Sequence, residues 1–276
     1  MKVMQRIIGS ILCACAILAA QSASGAAKGS LTLKSGLKME GLIGWMNRDK
    51  QYSVVTKDPE TKKNVTLQYP AKDVDEIDIE QPAAFSAAVA QVEKGQGAAA
   101  IPALQKIVKD YAHLQWDKTA GRYLAQAYLD ADKPADALRV CTDIIDGESS
   151  AAYKGDLVPA YWGALLRLNR RKPLEKNLEK AMKEDRYSRG AALIMRGDIA
   201  MKDGNESPDA CRKALTDGYL RVVYLYSEPA DVARKVQPEA LYKAARCFEK
   251  LGNATQAIEM RDELKRSYAS SPWANK

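Results

Sequence analysis

The stretch that decides the fold of this chain is Pro238-Glu-Ala-Leu-Tyr-Lys-Ala-Ala-Arg-Cys-Phe-Glu-Lys-Leu-Gly-Asn-Ala-Thr-Gln-Ala-Ile258. Small Ala245 is followed three residues later by Phe248. The Gly252-Asn253 breaker comes next, and Ala257 lies twelve residues after Ala245. The breaker predicts a turn between two helices, and the small residues allow those helices to pack closely. The stretch therefore predicts an antiparallel helix pair.

The same spacing recurs towards the N-terminus of the chain. Three other residues correspond to Ala245, the small residue of the first helix. They are Ala125, Gly163 and Gly197, and the last two lie 34 residues apart. The outer steps are longer, 38 residues from Ala125 to Gly163 and 48 from Gly197 to Ala245, which indicates insertions between copies. Helical periodicity over residues 82–276 predicts about five helical hairpins stacked as a solenoid.

Paired helices whose small residues lie 34 positions apart, as Gly163 and Gly197 do, resemble the tetratricopeptide repeat, whose repeat has this length. The ending Leu264-Lys-Arg-Ser-Tyr-Ala-Ser-Ser-Pro-Trp273 is similar to endings in repeat proteins of the bacterial cell envelope, with Ala269 where that group has proline. The resemblance implies a mainly α fold, an α-α superhelix over residues 82–276. It also implies that the protein holds a protein or peptide partner and is not an enzyme.

In that family, the first helices of successive hairpins line a concave groove, and ligand contacts come from positions beside the small residue. The resemblance therefore implies five partner-binding candidates: Arg122, Gln126, Asp198, Tyr242 and Arg246. Arginine can bind a carboxylate through two parallel hydrogen bonds, and tyrosine offers an amphipathic contact surface. The alternative is that these side chains are only solvated groove residues.

Residues 29–81 form a different pattern of short apolar runs separated by turns. They predict five strands, at 31–33, 37–45, 51–56, 64–69 and 74–79. Gly41 and Gly44 within the second strand indicate the bends of a small barrel. The pattern resembles a small SH3-like or Sm-like β-barrel, a kind of module that binds peptides or packs against a neighbouring domain.

The first 26 residues read as an export signal. Lys2 and Arg6 precede an apolar run of 14 residues from Ile7 to Ala20, which is too short to span a bilayer as a helix. Small residues follow, and we expect cleavage after Ala26. The sequence thus predicts export to the periplasm or cell envelope of a bacterium.

Leu12-Cys13-Ala14-Cys15 leaves an alternative open, because it resembles a lipobox in which Cys15 would be lipidated. The protein would then be a lipid-anchored assembly factor of the outer membrane, and only in that case would a membrane be a partner. In the other interpretation, both cysteines are small apolar residues of the export signal.

The sequence offers little catalytic or cofactor chemistry. His113 is the only histidine, and Gly95-Gln-Gly97 lacks the Lys-Ser/Thr of a phosphate-binding loop. Acidic residues near position 75 alternate with apolar ones and read as the solvated face of a strand. We therefore predict no catalytic residues, cofactor or metal. A carbohydrate-binding or enzyme-accessory role for the β module is the alternative from a different class.

Charge and cysteine content bear on the partner and the compartment. The net charge is +7, and residues 151–276 carry 24 Lys and Arg against 17 Asp and Glu. This excess suits an acidic partner or anionic lipid, or only a solvated helix face. Nucleic acid is not expected as a partner of an exported protein.

Cys141, Cys211 and Cys247 are predicted to be buried, with a Cys211–Cys247 disulfide as an option.

Overall fold

A computed structural model of the protein describes residues 25–276. Residues 1–24 of the predicted export signal, which include the lipobox-like Cys13 and Cys15, therefore lie outside the described residues. The chain divides into two compact units between Glu80 and Gln81. The first is a β-sheet and the second is helical.

The sheet unit contains five antiparallel strands within the described residues. They are β1 (Ala27–Leu33), β2 (Lys38–Met46), β3 (Gln51–Lys57), β4 (Asn64–Pro70) and β5 (Val74–Ile79). Their order is β4-β3-β2-β1-β5, and one face buries Leu31, Ile43 and Val54 completely. Gly29 and Gly41 face each other across β1 and β2, and a Cβ on either would come within 2.3 Å of a backbone oxygen. Only glycine therefore allows this close approach of the strands.

The prediction of a five-stranded module is confirmed, and closure into a barrel stays a prediction. β4 and β5 lie at opposite edges of the sheet, and each pairs on one side only within the described part of the chain. The acidic side chains of β5 are exposed, while Ile79 on the same strand is buried.

The helical unit follows in chain order. Its helices are α1 (Phe85–Glu93), α2 (Gly97–Asp110), α3 (Trp116–Asp130), α4 (Pro134–Gly147), α5 (Val158–Arg167), α6 (Arg171–Ala181), α7 (Arg186–Asp203), α8 (Pro208–Ala214), α9 (Leu220–Leu225), α10 (Ala230–Lys250) and α11 (Ala254–Ser267). A π-helical turn, Leu215–Tyr219, joins α8 to α9. The two short helices and this turn act as one partner to α7, so the unit comprises five hairpins.

The hairpins stack through their first members. α1 packs on α3, α3 on α5, α5 on α7, and α7 on α10. We call these five the inner helices. Small residues make the close contacts, since Ala125, Ala245 and Ala137 are fully buried. The stacked helical architecture expected from the spacing is therefore present.

The sequence pattern predicts that the last hairpin begins at Pro238, and this prediction is wrong. α10 begins at Ala230, eight residues before Pro238, and the proline lies inside the helix. Burial explains the extension, because Val236 belongs to the same core as the rest of α10 and Val232 packs against that core. Gln237 is also buried, and its side-chain amide donates to the carbonyls of Val222 and Val223. Tertiary packing thus outweighs the usual tendency of proline to open a helix.

Candidate binding groove

The inner helices line an open cavity of about 800 Å³, which we call the groove. All five candidates from the sequence lie in its wall: Arg122 and Gln126 on α3, Asp198 on α7, and Tyr242 and Arg246 on α10. The structure therefore brings these residues to one surface. Whether they contact a partner stays a prediction.

Arg122 belongs to an ionic group that we call the exposed triad, with Asp156 and Lys235. Arg122 Nη1 lies 3.0 Å from Asp156 Oδ2, and Lys235 Nζ lies 3.1 Å from Asp156 Oδ1. Lys235 also lies 4.9 Å above the ring of Tyr187. The pKa of Tyr187 is raised by burial, so its phenol is neutral at ordinary pH. Gln126 donates separately to Asp130 at 2.9 Å.

Asp198 belongs to a second group, which we call the buried cluster, with Tyr219, Glu239 and Lys243. Lys243 Nζ lies 2.7 Å from both carboxylate oxygens of Asp198 and 2.6 Å from Glu239 Oε1. The Tyr219 hydroxyl donates to Asp198 Oδ1 at 2.8 Å. Each buried polar group in this cluster is therefore hydrogen-bonded, as burial requires.

The pKa shifts in the buried cluster follow from burial and charge. Burial alone would lower the pKa of the Lys243 ammonium, but the carboxylates of Asp198 and Glu239 outweigh burial and raise it. Burial, then Asp198, raise the pKa of Tyr219. Burial also raises the pKa of Asp198, which Lys243 and Tyr219 oppose. The lysine is thus held as a cation between two carboxyl groups.

The π-helical turn places Tyr219 in the cluster. A Cβ on Gly218 would come within 2.7 Å of the backbone of α7 at Leu193 and Gly197, so the turn lies directly against that helix. A Cβ on Gly197 would lie 2.4 Å from the Tyr219 ring. The two glycines therefore leave the space through which the tyrosine hydroxyl reaches the cluster's carboxylate. Single π turns of this kind are frequent at functional sites.

Charge in the groove is mixed. The lining includes six cationic side chains, Arg122, Arg167, Lys235, Lys243, Arg246 and Lys276, and five acidic ones, Glu93, Asp130, Asp156, Asp198 and Glu239. Arg246 is exposed and has no ion-pair partner among the described residues. The basic excess of the helical unit is thus not concentrated in the groove. Such a surface suits a peptide segment that carries both positive and negative charges, or few charges of either sign.

Sequence reasoning missed most of the residues that hold the groove together. Asp156, Tyr219 and Lys235 come from separate segments of the chain, and no local pattern marks them. One signal was available, because Glu239 and Lys243 stand four residues apart on one helix face.

Within residues 25–276, no group of three or more His, Cys, Asp or Glu side chains is placed to hold a metal ion. Cys141, Cys211 and Cys247 are buried free thiols, and burial raises the pKa of Cys141 to about 12. His113 lies in the exposed turn between α2 and α3. Among the helices of residues 25–276, none is long and apolar enough to cross a membrane.

Comparison with known proteins agrees with the helical stack. Residues 239–271 match the family model of the tetratricopeptide repeat. This match covers α11 and most of α10, the hairpin with the clearest sequence pattern. No curated protein and no solved structure matches the chain significantly. The fold and the match together support a tetratricopeptide-repeat protein, a class that typically serves as a scaffold for protein–protein interaction.

Proposed function

We propose that this protein is a non-enzymatic, exported scaffold that binds a segment of a protein partner in the groove, within an assembly of the bacterial cell envelope. The observation that carries the proposal is that all five inner helices present charged or aromatic side chains to one open cavity of about 800 Å³. Such a groove suits an extended segment, because successive helices offer successive contact positions. The partner is a protein or peptide, and neither nucleic acid nor a cofactor has a role.

Site-specific photocrosslinking tests the groove. A photoreactive amino acid is placed at Gln126, in the groove wall, and separately at Glu175, an exposed position on α6 outside the groove. In living bacteria, we expect a discrete crosslinked product from position 126 and none from position 175. Arg246→Glu reverses the charge of an exposed groove residue and should weaken the product. Equal products at both positions, or none at either, would contradict the groove as the binding surface.

Export is proposed from the sequence, and mass spectrometry of the mature N-terminus tests it. A free N-terminus near Ala27 supports a soluble exported protein. A diacylglyceryl group on Cys15 instead supports the lipid-anchored assembly factor. An intact Met1 in protein recovered from cells would contradict export in both forms.

A further inference from the structure

The residues that follow the last helix return to the groove. Pro272–Asn275 forms a 3-10 turn that packs against α10 and α11. Pro272, Trp273 and Lys276 all line the groove at its α10 end. This segment lies just beyond residues 239–271, which match the repeat. It is therefore an addition to the repeat hairpin that occupies part of the binding surface.

Trp273 makes the main contact of this segment. Its ring lies 5.3 Å from the ring of Tyr242, between centroids, at an angle of 44°. Lys243 Nζ of the buried cluster lies 5.8 Å from the Trp273 centroid on one side, and Lys276 Nζ lies 3.8 Å from it. On the α10 side, the indole thus contacts an aromatic ring and a cation, Tyr242 and Lys243, which is a surface of the kind that binds aromatic rings, and Lys276 of the segment itself adds a second cation.

The backbone of the segment is held by the segment itself. Ser271 Oγ accepts from the Trp273 amide, and the Ser271 carbonyl accepts from Ala274. The Lys276 amide donates to the Trp273 carbonyl. All hydrogen bonds described for residues 271–276 stay within residues 268–276. The attachment of residues 271–276 to the inner helices therefore depends on side-chain packing. Dissociation of this segment from the groove would break no backbone hydrogen bond of α10.

We infer that residues 271–276 are an intramolecular ligand of the groove, occupying the place of a partner segment of the same chemistry. That chemistry is a proline followed by an aromatic residue, with a basic residue close behind. The inference rests on the proposed function, since it treats the groove as a peptide site. A partner segment displaces the indole from Tyr242, and the protein's own segment sets the concentration at which displacement occurs.

A peptide supplied in trans tests the inference. The probe is a fluorescein-labelled peptide with the sequence of residues 269–276, and the control peptide has alanine in place of its tryptophan. Binding is measured by anisotropy to the wild-type protein and to Trp273→Ala. A tethered segment has an effective concentration of about millimolar, so for a short peptide with a Kd of about 0.1 mM we expect about tenfold tighter probe binding to Trp273→Ala than to the wild type. The control peptide should bind neither protein.

Two further outcomes decide between a ligand and a structural cap. Adding Tyr242→Ala to Trp273→Ala should abolish probe binding, because the indole then has no aromatic surface. Equal probe binding by wild type and Trp273→Ala would overturn the inference. It would also be overturned if Trp273→Ala lost its fold by circular dichroism, since a ligand must be removable.

Failure of the inference is distinguishable from failure of the proposed function. If the probe fails to bind while the crosslinked product at position 126 persists, the inference is wrong and the scaffold function stands. If the probe binds Trp273→Ala tightly but no crosslinked product forms in cells, the groove accepts peptides and the proposed cellular role is wrong.

Discussion

The exposed triad and the buried cluster lie in the same groove and differ mainly in their access to water. In the triad, the side chains of Asp156 and Lys235 are 49% and 53% exposed. In the cluster, those of Asp198 and Lys243 are both 20% exposed. An exposed ion pair contributes little because water screens it, whereas removing one partner of a buried pair leaves an uncompensated charge. From this difference in burial we expect two ionic groups in one groove, both with ion-pair distances of 2.6 to 3.1 Å, to contribute unequally to stability.

The largest expected effect comes from Lys243→Met, which removes the cation of the buried cluster and keeps its length. Asp198 and Glu239 would then face each other without a counter-charge. We expect the free energy of unfolding to fall by about 3 kcal/mol, the low end for a broken buried pair because the site is partly hydrated. Urea unfolding followed by circular dichroism at 222 nm measures the change.

The matched control is Lys235→Met in the exposed triad, where the loss should stay below about 1 kcal/mol. Similar losses for the two variants would show that burial does not separate the two groups.

A second prediction concerns the glycine that admits Tyr219 to the buried cluster. Gly197→Ala would place a methyl group 2.4 Å from the tyrosine ring, so the ring or the π turn must shift. We expect a loss of about 2 kcal/mol from this overpacking, despite alanine's better helix propensity. Gly163→Ala is the control, because its methyl would meet only the end of the Leu129 side chain, at 3.1 Å. An equal response of the two variants in thermal melts would contradict this account of the close approach.

The third prediction concerns alkaline pH. Lys243, Tyr219 and Cys141 have raised pKa values in the folded protein. Each therefore keeps its proton in the folded state at a pH where the unfolded state has lost it, so stability falls as pH rises above about 9, the ordinary value for cysteine. The slope is up to about 1.4 kcal/mol per pH unit for each such proton.

Melting temperatures between pH 8 and 10.5 check this slope. Tyr219→Phe removes one titrating group from the buried cluster and should flatten the decline, whereas Tyr224→Phe, at an exposed ring, should leave it unchanged. If the melting temperature declines equally with pH in both variants, Tyr219 does not contribute to the alkaline loss of stability.

The smallest expected effect belongs to Asp156→Asn in the exposed triad. The variant leaves Arg122 and Lys235 without their shared carboxylate, yet both cations remain accessible to water. We expect a loss of about 0.5 kcal/mol at low salt, which disappears at about 0.5 M salt because exposed pairs are screened. A loss that persists at high salt would show that the triad is energetically more like the buried cluster.

Local patterns predicted the repeat well because they depend on nearby residues. The spacing from Ala245 to Ala257 concerns one hairpin, and its two helices pack as expected. The five candidates that the family resemblance implied also lie in one groove, because α3, α7 and α10 all line it. The start of α10 could not be predicted, since Pro238 is a local signal for a helix start and the extension depends on packing against distant helices.

The sequence by itself determined that residues 29–81 form a β module, that stacked helical hairpins follow it in the chain, and which positions of the helices carry small residues. The tertiary structure decided which charges meet and what fills the groove. Tyr219 and Asp198 are 21 residues apart, Lys243 and Asp198 are 45 apart, and Lys235 and Asp156 are 79 apart. Contacts over such separations follow from the stacking of whole hairpins, and so do the burial and pKa values that separate the two groups. The contact of Trp273 with Tyr242 also depends on tertiary structure, because the 3-10 turn after α11 lies in the groove only when α11 is packed on α10.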